Sequence, residues 1–162
     1  DNQLKSFFRG YREQQVVSLI TSTTQVLLRA CRPALVVDPV LFVPASRAER
    51  SLLVRWRLGW LPGKPEDCPC GRDRRSRRHF LECDLIPAFL WSDLPRCPPG
   101  SYPIDFALCS LPLGRSACCP PWWSSLLLML WHIQRLCRPN GYYLIDSSPG
   151  ASWYSRSSAC SD

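Results

Sequence analysis

The chain has 162 residues, enough for one domain with a buried core of its own. Twenty Lys and Arg against 13 Asp and Glu give a formal net charge of +7, which favours RNA or DNA as a partner over a membrane surface. Ten cysteines are fewer than a disulfide scaffold of this length would carry, and the polar first residues contain no apolar run of the signal-peptide type. We therefore expect reduced thiols, a location in the nucleus or cytoplasm rather than secretion, and, because the chain starts at Asp1 without Met, a piece of a longer polypeptide.

Residues 1–45 predict an N-terminal helical segment followed by a Pro-rich strap. The first apolar stripe consists of Leu4, Phe7, Phe8 and Tyr11. Its spacing of three and four residues predicts a helix face that packs in the core, with a partner helix as the alternative. A rotated stripe over 16–30 predicts a bend or break near residues 12–14. Three prolines in 33–45 favour short strands at 35–37 and 40–43, or an extended strap.

Residues 46–91 predict a basic helix joined to a Cys/His segment. Ser46 and Glu49 form a capping-box pattern at the start of that helix, and Gly59 and the Leu61-Pro62-Gly63 turn end it. The apolar side consists of Leu52, Leu53, Trp56 and Trp60, and the basic side of Arg47, Arg50 and Arg57. Trp56 and Trp60 could stack on bases, but their position on the apolar side favours core packing.

Four residues of types that commonly bind metals follow this helix. They are Cys68, Cys70, His79 and Cys83, in the pattern C-x-C-x8-H-x3-C. Three thiols and an imidazole within so short a segment predict a tetrahedral zinc ion. A turn at 68–71 would bring two sulfurs together, and a helix over 77–85 would place His79 and Cys83 on one face. Four ligands leave no open position, so the zinc would be structural. The alternative is ordinary loop thiols and a solvated histidine.

The segment between the two ligand pairs is rich in arginine. It contains Arg72, Arg74, Arg75, Arg77 and Arg78. A planar guanidinium can present two donors to a phosphate, so this loop predicts a phosphate clamp. The alternative is a solvated charge run, but the chain has 18 Arg against 2 Lys, a bias that solubility alone does not require.

Residues 92–146 predict a Pro-rich loop and a buried helix. Residues 104–111 predict a short helix or strand in which Asp105 is a cap rather than a catalytic acid. The apolar run at 122–137 predicts a buried helix too short and too interrupted to span a bilayer. Residues 142–145 predict a strand or strap, and residues 147–162 a flexible tail.

A second metal site is a weaker alternative in this part of the chain. Its ligands would be Cys118 or Cys119 with His132 and Cys137. Adjacent cysteines rarely chelate one ion together, so we interpret these thiols as small core side chains.

The segment RWRLGWLPGKPEDCPCGRDRRSRRHFLEC, at 55–83, resembles the zinc-binding region at the C-terminal end of non-long-terminal-repeat retrotransposon reverse transcriptases. That region has a basic helix, a Cys-x-Cys-Gly type turn and a His-Leu-Leu-Glu-Cys type helix. The segments PIDFAL and PPWWSSLLLMLWHIQRLC are similar to the tails of fungal copies. The resemblance implies binding of template RNA or target DNA. It also implies that Cys68, Cys70, His79 and Cys83 are the ligands and that Arg50, Arg55 and Arg57 belong to the basic helix.

We therefore expect a mainly α fold, with short helices around a buried C-terminal helix, a small zinc-knuckle-like appendix and extended Pro-rich connections. The predicted function is nucleic-acid binding for an upstream polymerase domain of the same polypeptide. No motif for catalysis occurs in the chain itself. The alternatives are a zinc-stabilised protein-interaction scaffold and a decayed retrotransposon fragment.

Overall fold

A computed structural model describes residues 2–21, 37–113, 118–141 and 148–157. Its helices are α1 (Asn2–Thr21), α2 (Arg47–Arg57), α3 (Arg77–Phe80), α4 (Ala88–Asp93), α5 (Pro103–Cys109), α6 (Trp123–Cys137) and α7 (Ala151–Ser157), with a 3-10 helix at Pro39–Leu41. The described residues form no strand beyond one isolated bridge between Asp67 and Arg74, so the predicted mainly α class is confirmed.

Helix α6 lies at the centre of the fold, as its apolar sequence predicts. Its buried side chains are Trp123, Leu126, Leu127, Met129, Leu130, Ile133 and Gln134. Helices α2 and α4 pack against it, and the 3-10 helix packs against α2. Among the residues that the structure describes, neither α6 nor any other helix is long and apolar enough to cross a membrane.

Helix α2 begins with the predicted capping box. Ser46 Oγ accepts from the Glu49 amide at 3.2 Å, and Glu49 Oε2 accepts from the Ser46 amide at 2.7 Å. Trp56 is fully buried, but the prediction that Trp60 packs beside it is wrong, since Trp60 is 63% exposed. The helix ends at Arg57, and Gly59, at φ +72°, turns the chain before Trp60 can continue the apolar face.

Helix α1 differs from its prediction. It runs without interruption from Asn2 to Thr21, so no break occurs near residues 12–14. Its first apolar stripe is exposed: Leu4 60%, Phe7 67%, Phe8 50% and Tyr11 54%. The prediction that this face packs in the core is wrong. The buried cluster begins at Val40 and ends at Trp153 in the sequence, and it includes none of these four residues. The remainder of the second stripe, beyond Thr21, lies outside the described residues.

The strands predicted before α2 are also absent from the described part. Val40 and Leu41 belong to the 3-10 helix, whose first turn is capped by the Asp38 carboxylate accepting from the Val40 amide at 3.1 Å. Proline at its first position favours this start over a strand. Residues 35–36 lie outside the described ranges.

The segment expected to be a flexible tail contains helix α7. Trp153 is 2% exposed, and its ring packs edge-on against that of Trp123 with 5.0 Å between centroids. The Gly150 amide donates to Glu49 Oε1 at 2.6 Å, which fixes α7 to the start of α2. The flexible-tail prediction is therefore wrong for residues 148–157, while 158–162 and the strand predicted at 142–145 lie outside the described residues.

Candidate metal centre

Cys68, Cys70, His79 and Cys83 converge on one point. Their ligand atoms all lie within 4.8 Å of one another. Cys68 Sγ is 3.7 Å from Cys83 Sγ, and Cys70 Sγ is 3.2 Å from His79 Nε2. The group could therefore hold a metal ion, as the sequence predicts.

The first ligand pair lies on a tight hairpin. The Cys68 amide donates to the Asp73 carbonyl at 3.0 Å, and the Arg75 amide donates to the Glu66 carbonyl at 2.6 Å. The Gly71 amide closes the turn on the Cys68 carbonyl at 2.9 Å, with Gly71 at φ +75°. A side chain at Gly71 would strain this backbone, so glycine is what allows Cys68 and Cys70 to face the same point.

The second ligand pair uses a shorter helix than predicted. Ser76 caps α3 by accepting from the His79 amide at 3.1 Å, but α3 ends at Phe80 instead of continuing to Leu85. Cys83 lies just beyond the turn at Leu81 and Glu82 that follows α3. The helix cannot be prolonged far, because Pro87 disfavours helical backbone at the residue before it. His79 and Cys83 therefore converge through a turn.

Burial controls the ionisation of the thiols. Cys68 and Cys83 are each 4% exposed and His79 is 6% exposed. Burial raises the pKa of Cys68 to about 12 and also raises the pKa of Cys83. The pKa of Cys70 is lowered, mainly because the backbone N–H of Arg72 donates to its sulfur. Two of the three thiols thus need a nearby cation to become thiolates at neutral pH.

The Cys/His segment belongs to the main core instead of forming an appendix. Cys68, Phe80 and Cys83 lie in the same buried cluster as the residues of α6. An ion held by all four donors would have no open position for a substrate and would stabilise the fold.

Arg77 joins this segment to α2 and α5. Its Nη1 donates to both Asp105 carboxylate oxygens, at 3.0 and 2.8 Å. Its guanidinium lies over the Trp56 ring, 4.3 Å from the centroid, and its Nη2 donates to the Trp56 carbonyl. Trp56 Nε1 in turn donates to Asp105 Oδ1 at 2.8 Å. The expectation that Asp105 is a helix cap is wrong: it is a buried acceptor, and α5 has no side-chain cap.

Arg75 joins the segment to α6. Its Nη1 donates to the carbonyls of Leu136 at 2.8 Å and Cys137 at 2.7 Å, and its Nη2 pairs with Glu66. Arg75 is 8% exposed. It therefore caps the C-terminal carbonyls of the central helix, where a cation is favourable.

Three arginines of α2 also serve the fold. Arg50 donates to the carbonyls of Val40 and Val43, both at 2.7 Å. Arg57 is buried and pairs with Asp38 at 3.0 Å. Arg55, half-buried, donates to the Ser51 carbonyl and to Gln134. These contacts correct the expected phosphate-binding set, since Arg50, Arg55, Arg57, Arg75 and Arg77 are engaged inside the molecule.

Four arginines of the expected set remain exposed. Arg47, Arg74 and Arg78 have no side-chain partner among the described residues, and Arg72 pairs with Asp84 while both stay over 60% exposed. Arg138 was not in the expected phosphate-binding set. It is exposed at the end of α6, next to the carbonyls that Arg75 caps. No sequence signal could show that Arg75 contacts this end of α6, because the contact joins residues about sixty positions apart.

The weaker second metal site does not form. Within the described ranges, Cys68, Cys70, His79 and Cys83 are the one group of ligand residues close enough for an ion. Cys119 and Cys137 are thiols whose burial raises the pKa of each to about 11. They act as partly buried apolar side chains packed against the core.

No family model matches the chain, and comparisons with curated proteins and with solved structures found no match.

Proposed function

We propose that the chain is a nucleic-acid-binding zinc module that helps a reverse transcriptase hold its template RNA or target DNA, with no catalysis of its own. The observation that supports it most is the loop between the ligand pairs, where Arg72, Arg74 and Arg78 are exposed on a segment fixed at both ends.

Zinc is the ion that we propose for this centre, because its donors are three thiols and one imidazole. Two sulfurs bound to one tetrahedral zinc, each at about 2.3 Å, lie about 3.8 Å apart. The 3.7 Å between Cys68 and Cys83 agrees with that distance. Thiolate and imidazole donors favour zinc, whereas magnesium and calcium prefer oxygen. The proposed ion would hold the loop in shape without activating water.

The loop is well suited to phosphate because its arginines divide into two groups. Arg75 and Arg77 face inward and anchor the backbone through Leu136, Cys137 and Asp105. The arginines that flank them, Arg74 and Arg78, face outward. A backbone held in this way reduces the entropy that the outward guanidiniums lose when they bind a polyanion.

The link to a reverse transcriptase is supported by the resemblance of residues 55–83 to the zinc-binding region of retrotransposon enzymes. The polymerase would then be the partner domain in the same polypeptide. A zinc-stabilised protein-interaction scaffold is the second candidate, favoured by the exposed apolar face of α1 at Leu4, Phe7, Phe8 and Tyr11.

The test is the salt dependence of binding to RNA and DNA oligonucleotides, measured by fluorescence anisotropy. Replacing Arg72, Arg74 and Arg78 by Gln should reduce the log-log salt slope by up to about three phosphate contacts' worth. A control that replaces Arg12, Arg96 and Arg156, all exposed, changes the net charge equally and should leave the slope nearly unchanged. An equal effect of both triple variants, or none from the loop variant, would contradict the proposal.

A further inference from the structure

We propose that Trp60 is a stacking platform for an unpaired base. The preferred ligand of the chain is then single-stranded RNA or DNA. The inference rests on the proposed function and adds the class of nucleic acid that is bound.

Trp60 differs from every other tryptophan of the chain. All seven lie within the described residues; Trp56, Trp123 and Trp153 are buried, and Trp91, Trp122 and Trp131 are half-buried. Trp60 is 63% exposed. A large aromatic ring left in water forgoes a substantial burial free energy, which a ligand that covers it can recover.

The backbone holds Trp60 in this outward position. The amides of Trp60 and Leu61 both donate to the Arg55 carbonyl, at 2.8 and 3.2 Å. Leu61 is 2% exposed, so the residue that follows the ring is anchored in the core. A ring on an anchored turn has few conformations to lose on binding, which favours stacking over a ring on a mobile loop.

The residues next to Trp60 in the sequence suit a polyanion. From Ser51 to Pro65 the sequence contains no Asp or Glu, and Lys64 is exposed. Beyond Glu66, which pairs with Arg75, and Asp67, the chain forms the hairpin that presents Arg72 and Arg74. Leu58, 47% exposed, adds apolar surface on the same turn. Cations for phosphates and an aromatic face for bases are the two components of single-strand binding sites.

Stacking distinguishes single strands from duplexes. Phosphates are present in both, so the exposed arginines can bind either. Bases inside a duplex already stack on their neighbours, and their faces cannot reach a side chain unless they are flipped out. Trp60 should therefore contribute to affinity for single strands and very little to affinity for a blunt duplex.

The experiment compares Trp60→Ala, Trp60→Phe and Leu58→Ala in the full chain, with oligo-dT, oligo-U and a blunt duplex as probes. Stacking is worth about 1–3 kcal/mol per base, so Trp60→Ala should weaken single-strand binding by about 5- to 150-fold. Duplex binding should change by less than about twofold, Trp60→Phe should retain most of the affinity, and Leu58→Ala should have a small effect. Base stacking should also quench a fluorescence component that is present in the wild type and absent from Trp60→Phe.

Three results would overturn the inference. If Trp60→Ala binds all three probes as the wild type does, stacking is refuted while the proposed function stands. If it weakens single-strand and duplex binding equally, with zinc content unchanged, Trp60 acts on the surface in general and not on a base. A wild-type chain that binds none of the three probes would refute the proposed function together with this inference.

Discussion

Arg77 and Asp105 are 28 residues apart in the sequence, and their side chains form a two-hydrogen-bond pair at 2.8 and 3.0 Å. The pair joins the segment that carries the metal ligands to α5, and the same guanidinium covers Trp56 of α2. The candidate metal centre is thus connected to three parts of the core, counting the contact of Arg75 with the end of α6. Loss of an ion bound there should affect the fold well beyond the four ligand residues.

Replacing Asp105 tests this connection. Asp105→Ala leaves the Arg77 guanidinium without its carboxylate partner and the Trp56 N–H without its acceptor, so the free energy of unfolding should fall by about 3 kcal/mol. The measurement is urea denaturation of the zinc-loaded chain. Asp84→Ala is the matched control, because its pair with Arg72 is exposed; it should cost less than about 0.5 kcal/mol. Equal losses in the two variants would contradict the assigned role of Asp105.

Zinc affinity should rise with pH. Burial raises the pKa of Cys68 to about 12 and raises the pKa of Cys83, so both thiols carry protons in the metal-free chain at neutral pH. Binding zinc as thiolates releases these protons, and each one makes the affinity about tenfold greater per pH unit. Chelator competition between pH 6.5 and 8 should therefore show affinity falling as pH falls. An affinity independent of pH would mean that these thiols do not bind the ion.

Trp153 tests the assignment of α7 to the core. Its side chain is 2% exposed against Trp123, so Trp153→Ala should lower the free energy of unfolding by about 3–5 kcal/mol. Tyr154→Ala is the control on the same helix, since Tyr154 is 39% exposed, and should cost much less. If thermal or urea unfolding is unchanged in Trp153→Ala, residues 148–157 behave as the flexible tail that the sequence predicts.

Features encoded by neighbouring residues could be predicted from the sequence. The capping box of Ser46 and Glu49, the turn at Gly71 and the convergence of Cys68, Cys70, His79 and Cys83 all depend on short spacings. The extent of α6 followed from its mostly apolar composition. Each of these signals is complete within about sixteen residues.

The direction of individual side chains could not be predicted in the same way. Arg75 and Arg77 face inward because their partners are Leu136, Cys137 and Asp105, which no local pattern associates with them. Trp60 continues the apolar spacing of α2 in the sequence. The positive φ of Gly59, one residue earlier, turns the chain, so Trp60 does not lie on the apolar face. An apolar stripe or a run of charges therefore predicts the general character of a helix face or loop. Long-range contacts decide which of its side chains remain exposed.

The ligand set of the metal centre is the claim on which the other proposals depend, and X-ray absorption at the zinc edge of the purified chain tests it most directly. We expect one zinc per chain with three sulfurs at about 2.3 Å and one nitrogen at about 2.0 Å, and loss of one sulfur or of the metal in Cys83→Ala. A folded chain without metal, or a Cys83→Ala variant with the same three-sulfur shell, would contradict the account.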